Sequence, residues 1–138
     1  MKNLITGIAL CCLSFSSTAY EGSPKSQVAA YFSDLVAGKY STAIDSLYSS
    51  NPLMASKAQQ LTLLKQQVSS VPALYGKLHG YETLSHEELS PSLVRIVTIA
   101  KHQNHPVNWE FYFYKINSTW VVSHGTFGDQ FQYIGKKK

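Results

Sequence analysis

Val107–Asn117 reads VNWEFYFYKIN and contains five aromatic residues. Side chains along a strand point alternately to its two faces, so Trp109, Phe111 and Phe113 would share one face. Tyr112 and Tyr114 would then lie on the opposite face. A strand that carries bulky side chains on both faces is typical of the middle of a sheet. The stretch therefore predicts a central strand, and the rest of the chain is interpreted around it.

The C-terminal half of the chain changes to a period of two from residue 79 onward. Four strands are predicted, over residues 80–89, 93–102, 107–117 and 119–127. The second of them is rich in β-branched residues, which favour strands. The links between the strands are short, so neighbouring strands are expected to run antiparallel.

Two tight turns set the expected register of the last three strands. A two-residue turn at 104–105 would place Thr98 opposite Phe111, and one at 117–118 would place Phe111 opposite His124. One face of the sheet is then expected to hold Val94, Ile96, Thr98, Trp109, Phe111, Phe113, Trp120, Val122 and His124. The other is expected to hold Arg95, Val97, Ile99, Glu110, Tyr112, Tyr114, Val121 and Ser123.

Three amphipathic helices are predicted before the sheet. The dipeptide Ser23-Pro24 is typical of a helix start, and Gly38 is typical of a helix end. Two more helices are predicted over 41–48 and 53–70, with Pro72 ending or kinking the last one. The expected fold class is α+β, with three N-terminal helices packed on the tryptophan face of a curved four-stranded antiparallel sheet.

The first 19 residues, MKNLITGIALCCLSFSSTA, are typical of a secretory signal. Lys2 provides a positive start, residues 4–15 form an apolar run too short to span a membrane, and small residues precede Ala19. The protein is therefore expected to be secreted or periplasmic after cleavage near Ala19. A single domain is expected over 20–135, without a transmembrane segment in the mature chain.

Removal of this leader also removes both cysteines, Cys11 and Cys12, so the mature domain is expected to fold without a disulfide. Lipid attachment at these cysteines is the alternative, which the large Leu10 disfavours. The mature chain has three more basic than acidic residues, and the basic tail 136–138 accounts for them. A solvated tail is favoured over one attracted to an anionic surface. No basic stripe with interleaved aromatics occurs, so no nucleic-acid binding is expected.

Two local features carry a resemblance to a known group of proteins: the segment Leu35–Tyr40, LVAGKY, and the late hairpin of 111–115 with 119–122. With the order of helices and strands, they make residues 23–131 resemble an exported member of the nuclear transport factor 2-like superfamily, a cystatin-like α+β cone. The resemblance implies a sheet curved around a helix, with a pocket at the wide end. The superfamily includes ketosteroid isomerases, dehydratases, polyketide cyclases, secretion scaffolds and exported domains, so the fold does not decide the function.

Candidate site residues follow from the predicted faces. The expected wall of a ligand pocket consists of Tyr31, Phe32, Trp109, Phe111, Trp120 and His124. His124 is also the weak candidate for catalysis, although a core histidine held by a hydrogen bond is the favoured interpretation. No residue-by-residue match to the catalytic groups of the isomerases exists. No cofactor is expected, and no metal, because the spacing of the histidines suits no metal site.

The opposite face predicts an interface. Arg95, Glu110, Tyr112 and Tyr114 would lie there, and tyrosine and arginine are enriched at interfaces. A homodimer through this face is expected; coverage by long side chains and the C-terminal tail is the alternative. Arg95 and Glu110 are expected to form a structural ion pair.

The leading hypothesis is an exported, non-catalytic domain that binds a small apolar ligand or a partner protein, as a homodimer. The alternatives are an isomerase- or dehydratase-like enzyme that uses a pocket histidine, and a scaffold subunit of an envelope complex.

Overall fold

The computed structural model describes residues 19–131 and confirms the α+β architecture. The helices are α1 (Pro24–Val36), α2 (Tyr40–Tyr48) and α3 (Ala58–Tyr75), and a 3-10 helix, Pro52–Lys57, leads directly into α3. The strands are β1 (Leu78–Ser90), β2 (Leu93–His102), β3 (Pro106–Ile116) and β4 (Thr119–Gly128). They form one antiparallel sheet in the order β1-β2-β3-β4. The predicted leader up to residue 18 and the basic tail lie outside the described residues.

α1 begins and ends as its sequence predicts. The Ser23 side chain accepts a hydrogen bond from the amide of Ser26 at 3.2 Å, and Pro24 occupies the first helical position. Gly38 follows the helix with a φ of +78°, in the left-handed region that favours glycine. The next helix can therefore start two residues later and pack back against α1.

The third helix starts and ends five residues later than predicted, over Ala58–Tyr75 where 53–70 was expected, and passes through Pro72. The proline lies in the last turn, where it removes only its own amide from the helical hydrogen bonds. The turn after it closes normally, because the amide of Gly76 donates to the carbonyl of Pro72 at 2.9 Å. Among residues 19–131, no helix is both long and apolar enough to cross a membrane.

The register between β2 and β3 differs from the prediction by two residues. Thr98 pairs with Trp109, and Ile96 pairs with Phe111, because a four-residue loop at 102–105 connects the strands where a two-residue turn was expected. A shift of two preserves the faces of a strand, so the predicted sides of β2 and β3 are retained. The helix-packed side is called the inner face below, and the other side the outer face.

The turn at 117–118 is the predicted two-residue hairpin. Asn117 and Ser118 have φ values of 45° and 69°, as this type of turn requires, and Ile116 pairs with Thr119. Phe113 pairs with Val122, as predicted.

A β-bulge overturns the predicted position of His124. Ser123 is an extra residue in β4, so His124 pairs with Tyr112 and Phe111 pairs with Gly125. The prediction that His124 would lie opposite Phe111 was therefore wrong. One added residue reverses the alternation of a strand, and His124 consequently lies on the outer face.

Aromatic side chains from α1 and the sheet fill the centre of the molecule. The ring centroids of Tyr31 and Trp109 are 5.2 Å apart, and Phe32 stacks on Tyr81 at 4.4 Å. Phe111 lies among them and has no exposed surface. The helices thus pack on the tryptophan face of the sheet, as the sequence predicts.

Candidate functional site

The helices leave part of the inner face uncovered beside the first turns of α1. The resulting depression has a volume of about 500 Å³ and is lined by Lys25, Val28, Thr83, His86 and Ile96. It combines one side of α1 with neighbouring parts of β1 and β2. We refer to it as the α1 depression.

A second bulge brings the two β1 residues into this site. Thr83 pairs with Thr98, and His86 pairs with Ile96, both of which lie on the inner face. Residues three apart in a regular strand point to opposite faces. The register shifts between Thr83 and Ser85, so Leu84 is the extra residue and lets Thr83 and His86 share one face.

The α1 depression has an apolar floor and a polar rim. Val28 and Ile96 are buried and form the floor, whereas Lys25, Thr83 and His86 are exposed. Within residues 19–131, no ion pair or side-chain hydrogen bond involves these three polar side chains. Pockets for small molecules are mostly apolar, with a few polar groups that orient the ligand. The arrangement suits a mainly apolar molecule that carries one anionic or polar group.

The six residues predicted to line the pocket lie in three places. Four of them, Tyr31, Phe32, Trp109 and Phe111, belong to the core, and each is at most 3% exposed. Trp120 is half-buried beside residues 19–22, and His124 lies at the edge of β4. The structure thus gives the first four a packing role, and contact of the six with a ligand stays a prediction.

Sequence patterns did not identify the residues of the α1 depression. Lys25 is one of many surface lysines, and Thr83 and His86 alternate wrongly for a shared face. The bulge at Leu84 brings the two side chains to one face, and no residue type in β1 predicts a bulge at that position.

Comparisons with known proteins place the fold but not the activity. No family model matches the chain, and no curated protein matches it. A solved structure from Campylobacter jejuni, provisionally described as an NTF2-like transpeptidase, superposes with a TM-score of 0.58. The match covers 73% of this chain and 97% of that chain, at 12% sequence identity. This chain has a nuclear transport factor 2-like fold. At such low identity the likeness concerns the fold alone.

Within this nuclear transport factor 2-like domain, the outer face of the sheet holds the predicted ion pair. Arg95 Nε lies 2.7 Å from Glu110 Oε1, and the Tyr112 hydroxyl donates to the same oxygen at 2.8 Å. Glu87 lies near the guanidinium group as well, at 3.3 Å. Arg95 and Glu110 therefore neutralise each other within one chain. Tyr114 is 48% exposed, and the interface role of all four predicted residues remains a prediction.

These contacts shift the pKa values of the cluster. Partial burial would raise the pKa of Glu110, but hydrogen bonds from Arg95 and Tyr112 outweigh it, and the pKa is lowered. The hydrogen bond to Glu110 raises the pKa of Tyr112 and that of Arg95. The cluster is thus an ionised, hydrogen-bonded unit at neutral pH.

A nuclear transport factor 2-like fold is used for ligand binding or for enzymatic chemistry in a cone. Among residues 19–131, no group of three or more histidine, cysteine or acidic side chains is arranged to hold a metal ion.

Proposed function

We propose that this chain is an exported, non-catalytic domain that binds a small, mainly apolar molecule carrying one anionic group. The α1 depression is the observation that supports this proposal. Its volume of about 500 Å³ lies within the range of roughly 300–1,000 Å³ that is usual for small-molecule sites. Val28 and Ile96 would contact the apolar body of the ligand.

The positive charge at the rim of the α1 depression supports the proposal that the ligand carries an anionic group. Lys25 makes no ion pair with any described residue, so its ammonium group is available to a ligand. The hydroxyl of Thr83 and the imidazole of His86 add groups that can donate hydrogen bonds. Among residues 19–131, no carboxylate lines the depression to compete for these groups.

The same lining supports binding over catalysis. A general base or nucleophile is normally activated or oriented by a second group at hydrogen-bond distance. His86 has no such partner among the described residues, and no carboxylate lines the site to serve as one. The enzyme alternative required His124 on the inner face, and the bulge in β4 places His124 on the outer face instead.

Export and self-association belong to the proposal on different grounds. The first 19 residues support export through their charge, apolar run and small residues near Ala19. The exposed Tyr114 supports a homodimer through the outer face, whereas the internally neutralised charges of Arg95 and Glu110 weaken the case for it. Sedimentation of the purified chain as a monomer at micromolar concentrations would remove the homodimer and leave the ligand site unaffected.

A matched pair of dyes tests the ligand site. 1-Anilinonaphthalene-8-sulfonate carries an anionic sulfonate, and N-phenyl-1-naphthylamine is its neutral counterpart; both fluoresce when they enter an apolar site. We expect the sulfonate to bind about tenfold more tightly, because an ion pair with Lys25 contributes on the order of 1 kcal/mol at a partly exposed site. Titration with direct excitation of each dye gives both dissociation constants.

Variants decide whether the α1 depression is the site. Thr83→Trp fills the depression and should weaken the binding of both dyes at least about tenfold. Its control, Thr126→Trp, lies on the outer face of β4 and should leave the binding of both dyes unchanged. Lys25→Gln should weaken only the sulfonate, and Lys39→Gln, at the start of α2, should weaken neither dye. Urea midpoints establish that all four variants are folded. Unchanged binding of both dyes by Thr83→Trp would refute the proposed site.

A further inference from the structure

A second concave site lies at the free edge of β4. It is a cleft of about 290 Å³ between the end of α2, the 3-10 helix, the start of α3 and the bulged part of β4. Its lining residues are Tyr48, Met54, Lys57, Gln60, Leu61, Leu64, Ser123, His124 and Gly125. We refer to it as the β4 cleft. It shares no residue with the α1 depression.

A buried tyrosine forms the floor of this cleft. Tyr48 is only 5% exposed, and no described residue forms a hydrogen bond with its hydroxyl group. Burial raises the pKa of Tyr48 to about 12, so the hydroxyl remains a neutral donor at physiological pH. A ligand that enters the cleft can therefore accept a hydrogen bond from it.

Gly125 leaves the space that this hydroxyl occupies. A Cβ at position 125 would lie 2.7 Å from the Tyr48 hydroxyl oxygen, closer than real Cβ contacts. Gly125 itself lines the cleft, so the hydroxyl oxygen lies where the backbone of β4 borders the open space. The tyrosine and the glycine thus form a floor that presents one donor to the cleft.

The polar groups above this floor are donors or cations. Lys57 comes from the start of α3, and Gln60 lies in its first turn. Lys57 forms no ion pair with any described residue, and no carboxylate lines the cleft. His124 borders the cleft as part of β4, but its imidazole lies on the outer face, where its ring centroid is 6.3 Å from that of Tyr112. A cleft with this set of groups is complementary to an anion.

The remaining wall is apolar. Met54 is buried, and Leu61 and Leu64 are half-buried on the side of α3 that faces the cleft. A dry apolar cavity of about 150 Å³ can hold benzene, so a cleft of about 290 Å³ has room for one ring and a charged group. The lining therefore fits a small organic anion better than an inorganic ion.

We propose that the β4 cleft is a second binding site, specific for a small organic carboxylate whose anionic oxygens accept hydrogen bonds from the Tyr48 hydroxyl and the Lys57 ammonium. Its apolar part would pack against Met54, Leu61 and Leu64. The proposal depends on neither the α1 depression nor its ligand.

Benzoate and benzamide test the site, since they have nearly the same shape and only benzoate is charged. In ¹H–¹⁵N NMR titrations of the full chain, benzoate should shift the amide resonances of residues 57, 60, 124 and 125. We expect benzamide to bind at least about tenfold more weakly, because a hydrogen bond to a charged group is stronger than one to a neutral group. Equal affinity for the two compounds would overturn the assignment of an anion site.

Two pairs of variants locate the contacts. Tyr48→Phe should weaken benzoate about tenfold, whereas Tyr40→Phe, at the other end of α2, should have no effect. Lys57→Gln should likewise weaken it, and Lys39→Gln should not; both lysines precede a helix, and neither caps it through its side chain. Tyr48→Phe removes an oxygen that has no described protein partner, so its urea midpoint should stay near that of the parent. Full benzoate affinity in Tyr48→Phe, or shifts confined to residues 25, 28 and 96, would refute the β4 cleft as the site.

Discussion

Gly125→Ala is the substitution that most directly tests the floor of the β4 cleft. Gly125 pairs with Phe111 within the edge strand β4, a position where a strand ordinarily gains stability from alanine. Glycine in a strand costs roughly 0.5–1 kcal/mol relative to alanine, because its unfolded backbone is freer. If only strand propensity mattered, the substitution would therefore stabilise the protein.

The contact with Tyr48 reverses that expectation. The added Cβ would lie 2.7 Å from the hydroxyl oxygen, and Tyr48 is 5% exposed, so its ring cannot swing freely into solvent. Forcing extra atoms into a packed site typically costs about 1–3 kcal/mol. After the propensity gain is subtracted, we expect Gly125→Ala to lower the free energy of unfolding by about 0.5–2 kcal/mol.

A double-mutant cycle isolates the contact. Tyr48→Phe removes the oxygen that the new Cβ would meet, so Gly125→Ala should be close to neutral, or stabilising, in the phenylalanine background. The coupling free energy should be about 1–3 kcal/mol, in the range found for residues in contact. Urea unfolding followed by tryptophan fluorescence gives all four values, since Trp109 is buried and reports the core. Additive effects, or a Gly125→Ala variant more stable than the parent, would refute the proposed position of the Tyr48 hydroxyl.

Two further predictions concern stability. The side-chain amide of Asn51 is buried and donates a hydrogen bond to the carbonyl of Val122 at 2.7 Å. Asn51→Ala should therefore lower the free energy of unfolding, measured by urea denaturation, by about 2 kcal/mol. Asn104→Ala, at an exposed position, should change it by less than about 0.5 kcal/mol. The pKa of Glu110 is lowered in the folded protein, so its ion pair with Arg95 stabilises the fold at pH values above the ordinary carboxyl pKa. This contribution is lost as the pH falls through the pKa that Glu110 has in the folded state. Glu110→Gln should therefore destabilise the protein by less than about 1 kcal/mol at pH 7, since the pair is partly exposed, and the difference should shrink between pH 5 and pH 3. A Glu110→Gln difference that is constant with pH would contradict the assigned shift.

The sheet was largely predictable because its signals are local. Alternation and β-branched residues gave β2 with its observed ends, 93–102, and the residues at 117–118 gave the hairpin of β3 with β4. The register of β2 against β3 was missed by two residues, because it depends on the conformation of the loop at 102–105 and not on the strands. A register error of two residues leaves every side chain on its predicted face, so the inner-facing residues of β2 and β3 were still predicted correctly.

Bulges limited the prediction of the candidate sites. An extra residue in a strand cannot be recognised from amino-acid composition, yet it reverses the face to which every later side chain of that strand points. The bulge at Ser123 moved His124 out of the expected pocket, and the bulge at Leu84 placed Thr83 and His86 together. Both depend on pairing with a neighbouring strand, which single-sequence periodicity does not contain.

The position of both candidate sites follows from how the interior is filled. The resemblance implied a pocket inside the curve of the sheet, but Tyr31 and Phe32 from α1 meet Trp109 and Phe111 there and close it. The two candidate sites lie instead at the margins of the helical layer, beside the start of α1 and between α2, α3 and β4. Beside α1, the bulge at Leu84 brings Thr83 and His86 to one face, which strict alternation would have prevented. The floors of both sites are core residues, Val28 and Ile96 in the α1 depression and Tyr48 and Met54 in the β4 cleft. Side chains that hold the helices on the sheet would therefore also contact the ligands.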